Sequence, residues 1–114
     1  MKKIGLFLDD ERVVADATWM GYPKDIEWTV VRNSDEFFEQ LQKLDPDVVS
    51  FDHDIQEFCG IEEVTGYDIL KEMIDIYLGV AEMPKCFFHT QNPVGKKNME
   101  CYYLNALKFQ GDLK

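Results

Sequence analysis

The chain of 114 residues is 46% hydrophobic and 13% aromatic, enough to bury one core and too short for two, so residues 1–114 are read as a single domain. Twelve Lys and Arg against 22 Asp and Glu give a formal charge of -10, which excludes an extended nucleic-acid surface, although local donors in a small pocket still hold one phosphate. Cys59, Cys86 and Cys101 lack C-x-x-C spacing and suggest neither a disulfide framework nor a zinc knuckle, no apolar run nears the ~20 residues of a membrane span, and no signal peptide is expected; the expected setting is cytoplasmic.

Ile4 to Leu8 is an apolar run that stops at Asp9-Asp10 and reads as a strand buried on both faces. Glu11 to Ala17 reads as a short helix. Gly21-Tyr22-Pro23 then turns the chain into Glu27 to Arg32, a second strand whose polar positions put it at a sheet edge. Asn33 caps a second helix whose third position is Glu36, with Phe37, Phe38, Leu41 and Leu44 along one side. Asp45-Pro46-Asp47 ends it, and Val48 to Phe51 is a third strand followed by Asp52, His53 and Asp54. Gln56 to Val64 reads as a polar loop. From Gly66, the residues Ile69, Leu70, Met73, Ile74, Tyr77 and Leu78 trace a helical stripe that ends near Gly79. Pro84 to Phe88 is a fourth strand with His89, Thr90, Gln91 and Asn92 at its carboxyl end. Pro93 opens a last helix, carried by Met99, Tyr103, Ala106 and Leu107.

Strands alternating with helices imply right-handed crossovers, a parallel sheet and helices on both of its faces, an α/β three-layer sandwich. A site in such a sheet lies outside the carboxyl ends of the strands where their order reverses, which for order 2-1-3-4 is between strands one and three. Asp9, Asp10 and Asp52 meet there as candidate ligands of a hard, oxygen-preferring cation such as Mg²⁺. His53 and His89 end strands expected to be neighbours, ~4.8 Å apart, so their rings are expected to flank one phosphorus atom, one activating water or a hydroxyl while the other protonates the leaving oxygen. Thr90, Asn92 and the first amides of the last helix are candidate donors to a phosphoryl oxygen, with Lys96 or Lys97, and Arg12, adding positive charge. There is neither a G-x-S-x-G elbow nor a G-x-x-x-x-G-K phosphate loop.

Asp9-Asp10 after an apolar run, Asp52 after another and the hydroxyl of Thr90 together resemble the receiver domain of two-component signalling. That resemblance implies a flavodoxin-like fold, Mg²⁺ bound through such acids, and a phosphoryl group accepted on the residue matching Asp52. Only about twenty residues follow Asn92, so the fifth βα unit of a receiver and its lysine are missing. LDDER (8 to 12), VR (31 to 32), FDHD (51 to 54), TGYDIL (65 to 70) and HTQNPVGKKNM (89 to 99) are similar to the cyclic-phosphate-processing receiver-like domains. This closer resemblance implies a phosphoesterase acting on cyclic phosphates such as 2′,3′-cyclic RNA ends, its partner a small phosphate-bearing substrate or an RNA terminus. His53 and His89 would do the acid/base work, while the acids hold Mg²⁺ or orient the histidines. The competing reading is a noncatalytic receiver-like module that binds Mg²⁺ and switches or scaffolds through a partner surface.

Overall fold

The computed structural model describes residues 2–112. The elements follow in chain order as β1 (Lys3–Leu8), β2 (Ile26–Val31), α1 (Ser34–Leu44), β3 (Val48–Phe51), β4 (Glu57–Cys59), β5 (Glu62–Val64), α2 (Gly66–Tyr77), β6 (Lys85–Phe88) and α3 (Pro93–Asp112). β1, β2, β3 and β6 form one parallel sheet in the order β2-β1-β3-β6, the expected order with β6 as the fourth strand. The fold is flavodoxin-like α/β, and no helix among the described residues is long and apolar enough to cross a membrane.

Register decides which side chains share a face. Leu6, Val49 and Cys86 lie in one row and Leu8, Phe51 and Phe88 in the next, and each row points to the same side because alternate residues of a strand do. This side packs with Phe37 and Leu41 of α1, Ile69, Leu70, Met73 and Ile74 of α2, and Met99, Tyr103 and Ala106 of α3 into one core. The opposite side carries Phe7, Ser50 and Phe87. Its cover is not a helix: Tyr22 meets the rings of Phe7 and Phe87 edge-on at centroid distances of 6.5 and 5.3 Å, and Trp28 stands against Phe7 at 6.1 Å.

The expected helix from Glu11 to Ala17 is reduced to a single 3-10 turn, Val14–Asp16. Local side chains take the amides that a helix would need: Asp9 accepts from Glu11 and Arg12, and Asp16 accepts from Val13. A segment this short has little propagation to offset that competition. The segment from Gln56 to Val64, read as a loop, contains the antiparallel hairpin β4-β5, with Gly60 in the left-handed region at φ 65°. Glu57 ties the hairpin to the start of α1 by accepting from the Ser34 amide at 2.7 Å and from its hydroxyl.

The helix ends follow the sequence. Asn33 accepts from the Glu36 amide at 2.9 Å, Thr65 and Asp68 form a capping box, and α1 stops at Asp45 with φ 44° just before Pro46. α3 lies along the free edge of β6, where the Tyr103 hydroxyl accepts from the Cys86 amide and donates to the Pro84 carbonyl, both at 3.2 Å. This bridge occupies the outward amide of Cys86 on the edge strand.

Candidate phosphate and cation site

The sheet ladder runs one residue past each central strand: the amides of Asp9, Asp52 and His89 donate to Val31, Leu8 and Phe51 carbonyls at 3.1, 3.0 and 3.0 Å. These three residues therefore stand in adjacent register, and one polar side-chain atom from each lies within 4.8 Å of the others. Above them opens a polar cleft of ≈ 440 Å³. Asp9, Asp10, Arg12, Asp52, Thr90 and Asn92 line it as expected, and Glu11, Asp54, Gln56 and Gln91 join them.

Asp9 is 1% exposed and fully engaged. Its Oδ1 accepts from the Glu11 and Arg12 amides at 2.9 and 2.8 Å, and its Oδ2 lies 3.1 Å from His89 Nε2 and 3.6 Å from the Arg12 guanidinium. Burial pushes this carboxyl up, but the hydrogen bonds from His89 and the two loop amides outweigh it and bring its pKa from 3.8 down to about 2. Arg12 is itself held, donating to Gln91 Oε1 at 3.2 Å and resting over the Trp19 ring at 5.5 Å. Arg32 locks the loop from beneath through the carbonyls of Asp9 and Arg12, at 3.2 and 2.7 Å.

Asp52 and Asp10 behave in the opposite way. Burial, followed by the negative charge of Asp9, pushes the Asp52 carboxyl up, and burial with the charges of Asp9 and Glu11 does the same to Asp10. Asp52 is 6% exposed, accepts from the His53 amide at 2.8 Å and is hydrogen-bonded by Thr90. Crowded carboxylates with raised pKa values are what a hard cation relieves, and the oxygen-rich donor set fits Mg²⁺. The fit is uneven: Asp52 and Asp10 keep oxygen lone pairs to offer, whereas Asp9 is already committed to four donors.

The two histidines do not open onto this cleft together. His89 is 0% exposed and lies flat on Phe7, with centroids 4.1 Å apart and planes 8° apart, on the sheet face away from the helices. Phe51 pairs with Phe88, so His89 is level with Asp52 while His53 comes one residue further and turns the other way. His53 is packed against the first turn of α3, where a Cβ on Gly95 would come within 2.5 Å of its ring. Its Nδ1 is 2.9 Å from Asp54 Oδ1, and its side chain is 17% exposed. The bond from His53, more than burial opposes, keeps the Asp54 carboxyl low, and Asn92 adds to it by donating from Nδ2 to Asp54 Oδ2 at 3.1 Å.

Two expected phosphate ligands are otherwise employed. Asn92 caps α3, its Oδ1 accepting from the Gly95 amide at 3.0 Å, so both ends of its amide group and that helix amide are satisfied within the protein. Lys96 projects to a separate cavity at the β6 edge, beside Met20, Phe87 and Glu100, because it follows the Gly95 face by one helical step. The sequence reading passed over Ser50, Tyr22 and Gln91. Ser50 left a signal as a hydroxyl inside the otherwise apolar VVSF.

A parallel β2-β1-β3-β6 sheet with acids gathered at its switch point defines a receiver-like α/β domain. Residues 4–105 match the cyclic-phosphate processing receiver domain, and the chain belongs to that family. Among solved structures it is similar to the signal receiver domain of a putative Luxo repressor protein from Vibrio parahaemolyticus, at 10% identity, with 97% of this chain and 94% of that one covered and a TM-score of 0.49. It is also similar to the response regulator PhyR from Brucella abortus, at 19% identity and a TM-score of 0.49, with 95% of this chain but only 51% of that one covered. No curated protein matches it.

Proposed function

We propose that the chain opens cyclic phosphate esters, such as a 2′,3′-cyclic phosphate on a nucleotide or RNA terminus, in a reaction that depends on a divalent cation. The carrying observation is that five acids, Asp9, Asp10, Glu11, Asp52 and Asp54, surround the single guanidinium of Arg12 in one cleft. A phosphate anion entering that field is repelled unless a cation stands between. Bound there, Mg²⁺ supplies the charge that holds and polarises a phosphoryl oxygen. Asp52 and Asp10 would hold it. Arg12 and Thr90 orient the phosphoryl group from the same rim.

His53 is the acid/base group in this reading. With Nδ1 on Asp54, which lines the cleft, and Asp54 fixed by Asn92, its ring orientation is set; the ring itself is not part of the cleft lining, so proton exchange between Nε2 and the leaving oxygen would run through water. Water adds to phosphorus as one ester bond breaks, and the freed oxygen takes a proton to become a hydroxyl. Membership of the cyclic-phosphate processing family supports the substrate class. His89, sealed below the cleft, acts through Asp9 rather than on the substrate.

Incubation of the protein with oligoribonucleotides ending in 2′,3′-cyclic phosphate, with Mg²⁺ or with chelator, tests the reading. Ring opening is expected with Mg²⁺ only, and His53→Ala is expected to lower it by roughly 10²- to 10⁴-fold. Mg²⁺ binding without turnover would instead favour a noncatalytic binding module, a reading that the absence of an imidazole lining the cleft supports.

A further inference from the structure

On the sheet face away from the helices, four side chains form one hydrogen-bonded chain that ends at the cleft. Tyr22 OH lies 2.5 Å from Ser50 Oγ, Ser50 Oγ lies 2.7 Å from His89 Nδ1, and His89 Nε2 lies 3.1 Å from Asp9 Oδ2. Ser50 and His89 are 0% exposed and Asp9 is 1% exposed, so no water competes along most of its length. We propose that Ser50 and Tyr22 are positioning residues of the site: they hold the His89 imidazole by Nδ1, so that its Nε2 proton stays on Asp9 Oδ2 from below and leaves Asp52 and Asp10 as the carboxylates that face a cation.

Donor counting gives the chain its direction. Asp9 already accepts from the Glu11 and Arg12 amides and faces the Arg12 guanidinium, the setting of a carboxylate that only accepts, so in this chain Nε2 donates to it. If Nδ1 then accepts from Ser50, the Ser50 oxygen is free to accept from Tyr22, and every proton in the chain has a taker. The reverse order would have Nδ1 donate to Ser50 and Ser50 donate to Tyr22, which strands the phenol proton next to Phe7, Trp28 and Phe87. Buried polar groups are rarely left that way. The stacked Phe7 ring holds the imidazole plane, so loss of the Ser50 bond would leave the ring tied at Nε2 alone and able to shift within that plane.

The role in turnover rests on the proposed function, whereas the tautomer does not, and the test separates the two. Ring-nitrogen NMR of the full chain at neutral pH is expected to show His89 protonated at Nε2 and bare at Nδ1. In Ser50→Ala the Nδ1 signal is expected to shift to that of a nitrogen without a donor and the Nε2 proton to exchange faster, and Mg²⁺-dependent opening of 2′,3′-cyclic phosphate should lose on the order of ten- to a hundred-fold in kcat with KM nearly unchanged. Ser50→Thr, which keeps the hydroxyl, should restore both. Tyr22→Phe removes only an oxygen from a half-buried ring, and so provides a second variant if Ser50→Ala does not fold; its expected change has the same direction and a smaller size. A proton on Nδ1 in the unaltered protein, or unchanged ring-nitrogen signals and kcat in both hydroxyl-deleting variants, overturns the proposal. If the unaltered protein opens no cyclic phosphate, the function fails by itself, and the NMR comparison still decides the positioning role.

Discussion

Replacing Asp9 by Asn tests the electrostatic core of the site without removing volume. The carboxyl falls from 3.8 to about 2 on folding, which corresponds to about 2.5 kcal/mol of stability at neutral pH. Because the folded value is depressed, this stability is present above pH ~4 and is lost as pH falls through ~2. Asn keeps one oxygen for the Glu11 and Arg12 amides but presents an NH₂ to His89 Nε2 and to the Arg12 guanidinium, so donors face donors where Oδ2 stood. Removing the charge also relieves Asp52 and Asp10, which offsets part of the loss. The net expectation is a destabilisation of about 2 kcal/mol at pH 7 that shrinks toward zero between pH 4 and pH 2. Urea denaturation of both proteins across that range measures it. A difference that stays constant with pH, or an Asn variant more stable at pH 7, would refute the account of Asp9 as a carboxylate held by four donors.

Asp52→Asn is expected to raise stability in chelator at pH 7, since a group with a raised folded pKa destabilises the fold once ionised, and to abolish Mg²⁺ binding; melting and calorimetry read the two effects. Gly95→Ala places a Cβ 2.5 Å from the His53 ring, so a cost of about 1–3 kcal/mol and loss of the Asp54 contact are expected, visible as a lower midpoint and a shifted His53 ring signal. Lys96→Ala should leave Mg²⁺ affinity and turnover unchanged because Lys96 lies at the β6 edge, whereas Arg12→Ala should weaken phosphate binding severalfold in inhibition by inorganic phosphate. Tyr103→Phe strips the β6 edge of its hydroxyl bridge and should cost about 1–2 kcal/mol in denaturation.

The sheet was legible because each central strand is an apolar run with an abrupt polar end, and acids at Asp9 and Asp52 mark two of those ends. The helices were legible where stripe and cap agree, as at Asn33 with Glu36 and at Thr65 with Asp68. The segment after β1 was not, because a side chain, Asp9, organises its amides, and such competition leaves no periodic trace. The histidines were misplaced for a reason the sequence does hold. In FDHD the histidine follows the last strand Phe by two residues, and in FFHT by one, so in paired strands they point to opposite sides. Tyr22 was beyond reach, since its partner Ser50 lies 28 residues away and joins it only through the fold.

Asn92 explains why, under the proposed function, the site would depend on its acids and on a cation rather than on a helix terminus. A helix start beside a strand end ordinarily offers free amides to phosphate. Here Pro93 brings no amide to the first turn, Asn92 Oδ1 takes the Gly95 amide, and the Lys96 amide closes on the Asn92 carbonyl at 2.9 Å, which leaves the Val94 amide alone to offer. The same Asn92 turns its NH₂ to Asp54, and Asp54 turns its other oxygen to His53. One residue thus takes up part of the helix start with its oxygen and orients an imidazole through Asp54 with its NH₂. With those amides spent and five carboxylates at the rim, the proposed function would bring a phosphoryl group into the cleft through the arginine at its edge and a divalent ion between the acids.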